Sequence, residues 1–165
     1  MQEVLNDLGG VPFDEADRAY ASAIQATLSA EEISQPFRRA GVPVRKDVPL
    51  CDWIVPRKQG GEVMIGSTDV ADVSWAVPLV QLLTATMAIG TPFHTWQVTA
   101  QGKSSAAHKG MTHAALAMAT CAERLFSDPA LLRAAEAEHL RHLAEEPYRC
   151  PIPEDVMPPL VPRPA

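Results

Sequence analysis

Two long stretches of the chain have apolar residues at helical spacing. Asp14 precedes the first, over roughly residues 15–30, where apolar residues recur every three or four positions, so the pattern predicts a helix capped by Asp14. Ser104 and Ser105 precede the second, an Ala-rich helix predicted over about residues 106–126. Its apolar residues form one stripe: Met111, Ala115, Met118, Ala122 and Leu125.

Shorter apolar runs between these helices predict strands. Residues 52–55 and 62–65 are β-branched and apolar runs on either side of a turn at 58–61, so one or both are expected to be strands. Residues 84–89 are small and apolar and precede Gly90, which predicts a buried strand that ends there. Strands that alternate with long helices indicate an α/β fold in which a few strands pack with the helices.

Prolines divide the rest of the chain. Residues 31–44 are ambiguous, with a helical turn that Pro36 would end, and Pro129 is expected to begin one more helix. Residues 147–165 contain seven prolines, which predicts an extended tail. We therefore predict one domain over residues 1–146 and a tail over residues 147–165.

Composition excludes several classes of protein. The hydrophobic content of 47% suits one compact unit, and a net charge of −6 without a basic cluster argues against a nucleic-acid surface. The longest mostly apolar stretch, residues 75–93, is interrupted by prolines and polar residues, so no membrane-spanning helix is predicted. Three widely spaced cysteines and a mixed N-terminus without signal-peptide character favour a soluble, cytoplasmic protein.

Polar residues that suggest chemistry follow the predicted strands. Ser67, Thr68 and Asp69 come after the strand at 62–65, where strand ends and new helices line ligand crevices in α/β sheets. They are equally suited to cap a helix. His94 follows the strand at 84–89 and is placed like a metal ligand, but a catalytic zinc takes at least three protein ligands. His94 therefore needs partners from elsewhere.

Four segments resemble the family of co-catalytic metallopeptidases that includes aminoacylases, carboxypeptidases and, most similar here, p-aminobenzoyl-glutamate hydrolases. The matching segments read GSTDV followed by DVSW (66–70 and 72–75), GTPFHTWQ (90–97), AHKGM (107–111) and PYRCPIP (147–153). The resemblance implies that this chain corresponds to the C-terminal third of a zinc-exopeptidase-like catalytic domain. It also implies hydrolysis of the amide bond of an acyl- or aroyl-amino acid with divalent Mn or Zn.

The same resemblance assigns roles to single residues. His94 corresponds to the last metal ligand of the family, while the other ligands and the general base lie in an N-terminal portion without counterpart here. His108 is equally family-like and is expected near the substrate or in a structural role, and Ser67 and Thr68 are expected to line the substrate crevice. Asp69 is expected to hydrogen-bond a ligand histidine. A chain with these residues alone is expected to be inactive.

Two interpretations of the chain stay open. In the first it completes a hydrolase together with the missing N-terminal portion or a complementary chain, and a homo-oligomer is compatible with this. In the second it has lost catalysis and serves as a structural or interaction module that pairs with such a chain. An exposed apolar face at the docking position would favour the second interpretation.

Overall fold

Seven helices make up the regular structure of the protein. The computed structural model describes residues 1–57 and 68–157, and within these ranges it contains no β-strand, so the predicted α/β fold is wrong for this part of the chain. None of these helices is long and apolar enough to cross a membrane. The helices are α1 (Gln2–Leu8), α2 (Glu15–Gln25), α3 (Ala30–Ala40), α4 (Val70–Ala76), α5 (Trp96–Gln101), α6 (Ser105–Ser127) and α7 (Pro129–Glu145).

The chain divides into two compact units. The first comprises residues 1–66 and 80–129, and the second comprises residues 67–79 and 130–165. The core of the first unit is a cluster of buried apolar side chains from its helices and its connecting segments: Val11, Phe13, Ala21, Ile24, Leu50, Ala88 and Ala106.

Side-chain caps fix the start of α2 and of α6. The Asp14 carboxylate accepts a hydrogen bond from the Asp17 backbone N–H at 2.9 Å, and the Asp17 carboxylate accepts one from the Asp14 N–H at 3.0 Å. Ser104 caps α6 by accepting from the Ala107 N–H at 3.1 Å. Each cap satisfies a backbone donor that the first helical turn leaves free. The caps predicted at Asp14 and at the start of the Ala-rich helix are confirmed.

Helix α3 continues through Pro36 instead of ending there. A reciprocal cap between Ser29 and Glu32 begins the helix, and Gly41, in the left-handed region at φ 67°, ends it. Proline inside a helix removes one backbone hydrogen bond. The two defined ends and the burial of Phe37, which is 3% exposed, oppose that loss. Phe37 also stacks on Trp53, with ring centroids 6.2 Å apart.

The strands predicted at 84–89 and 52–55 are absent because neither segment pairs with a neighbouring strand. The segment at 84–89 hydrogen-bonds helices and loops instead: the Thr84 hydroxyl donates to the Gly110 carbonyl at 3.1 Å, and the Ile89 N–H donates to the Pro49 carbonyl at 2.8 Å. An apolar run becomes a strand only where another strand supplies its backbone partners. The strand predicted at 62–65 lies outside the described residues.

Helix α6 packs on the core of the first unit with small residues. Its buried positions are Ala106, Gly110, His113 and Ala117. At Gly110 the segment before His94 comes so close that an added Cβ would lie 2.1 Å from the Ala85 carbonyl oxygen. The apolar stripe predicted from Met111 to Leu125 is not the stripe that packs on this core.

Candidate functional site

His94 lies in an exposed turn between Pro92 and α5. Its φ is 63°, a left-handed conformation that residues other than glycine rarely adopt. The aromatic side chains on either side are largely exposed, Phe93 at 72% and Trp96 at 60%. Because strained backbone concentrates at functional sites, this conformation makes the His94 turn a candidate functional position.

A buried glutamine of α5 holds the segment that leads into this turn. Gln101 is 2% exposed, and its side-chain oxygen accepts a hydrogen bond from the Ala88 N–H at 2.7 Å. Its side-chain nitrogen donates to the Thr91 hydroxyl at 3.1 Å and to the Gln97 carbonyl at 3.0 Å. The chain on both sides of Gly90 is therefore fixed by one side chain, three residues before His94.

The residues that the structure describes do not form a complete metal site. Among them, no three His, Cys, Asp or Glu side chains converge in a way that would hold a metal ion. A single imidazole does not hold a hydrolytic metal, which takes three or more protein ligands. The part of the chain seen here therefore does not fit a whole zinc or manganese centre, and His94 offers one ligand at most.

His108 lies at a cavity of the first unit. The cavity has a volume of about 440 Å³, and its lining residues are Pro12, Ser105, His108, Lys109, Thr112, His113 and Leu116. His108 is exposed on the second turn of α6, whereas His113, one and a half turns further on, is 8% exposed. The His113 Nε2 lies 3.0 Å from the Gly9 carbonyl oxygen, so Nε2 carries the proton and donates. His113 thus has a structural role, and His108 remains available to a ligand.

Lys109 forms an ion-pair cluster beside this cavity. Its ammonium donates to Asp14 at 2.6 Å and to Asp17 at 2.5 Å, and the Asp17 side chain is 1% exposed. Burial raises the pKa of Asp17, but hydrogen bonds from Lys109, the Asp14 backbone and Ser105 outweigh burial, so the pKa lies below its ordinary value. The hydrogen bonds to Asp14 and Asp17 raise the pKa of Lys109. The charges at the cavity wall are therefore fixed at neutral pH.

The polar residues predicted before α4 belong to the second unit. The Thr68 hydroxyl accepts a hydrogen bond from the Val70 N–H at 3.3 Å, which is the local capping contact that the sequence left open. Asp69 occupies the N-cap position of α4, and its side chain makes no capping hydrogen bond there. Ser67 lies outside the described residues. The structure thus brings Thr68 and Asp69 together at one helix start.

A second cavity, which sequence reasoning missed, lies within the second unit. It has a volume of about 560 Å³ and is lined by α4 and by the segment after α7, including Asp72, Trp75, Tyr148 and Arg149. The Tyr148 hydroxyl donates to Asp72 at 2.9 Å, and the Trp75 and Tyr148 ring centroids are 6.0 Å apart. Hydrogen bonds with Asp72 and Cys150 raise the pKa of Tyr148 to about 12. The only sequence signal was that Asp72 and Trp75 are three apart on one helix.

One known protein is similar to this chain along nearly all of its length. A p-aminobenzoyl-glutamate hydrolase subunit of Escherichia coli (strain K12) is 34% identical over 168 residues, which cover 96% of this chain. The predicted resemblance is confirmed. The chain spans 35% of the length of that relative, about a third. No family model matches the chain, and no solved structure matches it significantly.

Proposed function

We propose that this chain is part of a metal-dependent amidohydrolase that cleaves an acyl- or aroyl-amino acid similar to p-aminobenzoyl-glutamate. One observation carries the proposal: 96% of the chain aligns with a protein whose name states that hydrolysis. Because the alignment covers 35% of that relative, the remaining catalytic residues are proposed to lie in a complementary portion. The relative's name also describes it as one subunit of an enzyme, which supports a partner chain.

In this proposal His94 supplies one ligand to a divalent Mn or Zn ion. Its exposure supports the role because the imidazole is accessible to an incoming portion of the protein. The restraint that Gln101 imposes on the preceding segment supports it too, since a ligand held in place loses less conformational freedom on binding. Bound metal would supply polarisation of the scissile carbonyl and activation of water.

The other proposed site residues act on the substrate or on their neighbours. His108, exposed at the 440 Å³ cavity, is proposed to contact the substrate. Ser67 and Thr68 are proposed to line the substrate crevice, and Asp69 to accept a hydrogen bond from a ligand histidine and so fix its tautomer. The side chain of Asp69 is suited to this because its own helix does not use it as a cap.

A reconstitution assay tests the proposed function. Hydrolysis of p-aminobenzoyl-glutamate is measured with Mn²⁺ or Zn²⁺, first with this chain alone and then after mixing with the part of the Escherichia coli relative that this chain does not match. We expect activity only in the mixture, because the described residues contain no complete metal site. Activity of the chain alone would contradict the proposal that it depends on a complementary portion.

Replacing His94 tests the ligand assignment. In the active mixture, His94→Ala is expected to lower both bound metal, measured by elemental analysis, and activity by at least tenfold. The matched control is His108→Ala, which is expected to weaken substrate binding and leave the metal content unchanged. If His94→Ala retains full metal and activity while His108→Ala loses both, the assignment is reversed.

The cytoplasm is the proposed location. Cys51, Cys121 and Cys150 all carry free thiols, which supports a reducing compartment.

A non-catalytic interaction module is the second candidate function. Exposed large apolar side chains of the first unit favour it, because such surfaces mark contacts with other proteins. They include Leu83 at 85% and Phe126 at 88% exposed. A mixture that forms a stable complex but hydrolyses no amide substrate would support this candidate over the first.

A further inference from the structure

Helix α6 is apolar on the side that faces away from the core as well as on the side that packs on it. We call the solvent side the outward face; it consists of Met111, Ala115, Met118, Ala122 and Phe126. Met111 is 61% exposed, Met118 is 56% exposed and Phe126 is 88% exposed. At 100° per residue, this face lies opposite the buried Gly110 and Ala117. Helices that are apolar all round are normally buried.

Charged residues are almost absent from the solvent side of this helix. From Gly110 to Ser127, Glu123 is the only exposed residue that carries a charge. Arg124 is partly buried and pairs with Asp7 at 2.5 Å and with Glu3 at 3.8 Å. A surface helix normally presents charged residues to water on the side away from the core. The composition of the outward face is therefore that of a contact surface.

A second copy of the chain is a poor occupant for the outward face alone. The face extends from residue 111 to residue 126, about 22 Å at 1.5 Å per residue. With a helix width of about 10 Å, its footprint is on the order of 220 Å². Stable protein pairs bury about 800 Å² per partner, so a symmetric contact between two α6 helices falls short. A larger partner that covers the helix and its surroundings meets the requirement.

We propose that the outward face of α6 is the surface on which the complementary portion of the hydrolase packs. The similar protein from Escherichia coli is about three times as long as the stretch that this chain matches, so a portion large enough to bury the face exists in that relative. The proposal rests on the proposed function for the identity of this partner. The ligand chemistry is an apolar protein surface without a charge opposite Met118, since burying a charge there without a partner is costly.

Binding measurements with two matched variants test this surface. Met118→Lys places a charge in the middle of the outward face, and Leu140→Lys places one on α7 at a residue of nearly equal exposure, 56% against 57%. Each full chain is titrated with the part of the Escherichia coli relative that it does not match, and association is followed by analytical ultracentrifugation. We expect the wild type and Leu140→Lys to bind equally, and Met118→Lys to bind at least tenfold more weakly. Circular dichroism confirms that both variants keep their helix content.

Three results would overturn the proposal: no association of the wild type, equal binding by all three proteins, or a wild-type homodimer that Met118→Lys dissociates. The last would assign the face to a second copy. Failure of the docking surface is distinguishable from failure of the proposed function. A complex that Met118→Lys weakens but that hydrolyses nothing retains the surface and refutes the function, whereas hydrolysis that Met118→Lys leaves unchanged refutes the surface alone.

Discussion

Replacing Gly110 by alanine is expected to destabilise the first unit, although alanine favours helices. An alanine Cβ would lie 2.1 Å from the Ala85 carbonyl oxygen and 2.8 Å from the Thr86 methyl group. The oxygen belongs to the backbone, and it would have to retreat by about 1.3 Å to reach the 3.4 Å at which ordinary contact begins. That movement also strains the hydrogen bond from Thr84 to the Gly110 carbonyl.

The magnitude follows from three opposing contributions. Overpacking costs about 1–3 kcal/mol or more, and weakening one hydrogen bond costs about 0.5–1.5 kcal/mol. The better helix propensity of alanine returns about 1 kcal/mol. We expect Gly110→Ala to lower the free energy of unfolding by about 1–3 kcal/mol, which corresponds to a fall in Tm of about 3–10 °C for a chain of this size.

The assay is thermal and urea unfolding followed by circular dichroism, with Gly102→Ala as the control. At Gly102 the nearest atom to an added Cβ is 3.6 Å away, so this variant is expected to unfold at or slightly above the wild-type temperature. If Gly110→Ala is as stable as Gly102→Ala, the close approach of residues 84–88 to α6 is refuted.

Two further predictions concern ionisable groups. Lys109→Met is expected to destabilise the protein between about pH 4 and pH 10, because it leaves the buried Asp17 carboxylate without its cation. The lowered pKa of Asp17 means that this stabilisation is lost as pH falls below its ordinary value of 3.8, and the raised pKa of Lys109 means that it is lost above 10.5. Urea midpoints that differ equally at pH 7 and pH 2.5, roughly, would contradict this linkage. In a Tyr20→Phe background, ultraviolet titration is expected to show Tyr148 ionising at about 12 and, after Asp72→Asn, closer to 10.0; an unchanged titration would show that Asp72 does not set this pKa.

Helix starts were predictable from the sequence because they depend on local chemistry. Asp14 and Ser104 each lie within three residues of the backbone N–H that they accept from, so the sequence alone contains the whole interaction. The end of α3 shows the limit of such reasoning. Pro36 predicts an end, but the caps on both sides of it and the burial of Phe37 determine that the helix continues.

Strands were wrongly predicted because their stability depends on a distant partner. Residues 84–89 have the composition of a buried strand, yet their hydrogen bonds go to Gly110, Gln101 and Pro49. The stripe on α6 failed for a related reason. Periodicity identified Met111 and Met118 as one face, but a helix that is apolar on both sides does not reveal which side meets the core.

The candidate site was predictable only in part. His94 and His108 were recognised from their motifs, and the structure gives both of them solvent exposure. The left-handed φ of His94 has no sequence signal, since no glycine or asparagine occupies that position. The contact between Asp72 and Tyr148 joins residues 76 positions apart, and no periodicity predicts such a pair.

Gln101 has a consequence for hydrogen exchange. The Ala88 amide belongs to no helix, so its surroundings in the sequence suggest rapid exchange with solvent. Its N–H is instead bonded at 2.7 Å to a side chain that is itself 2% exposed, and Ala88 is 1% exposed. Release of that proton requires α5 to separate from the loop before His94. The exchange rate of one amide therefore reports how often the His94 turn opens.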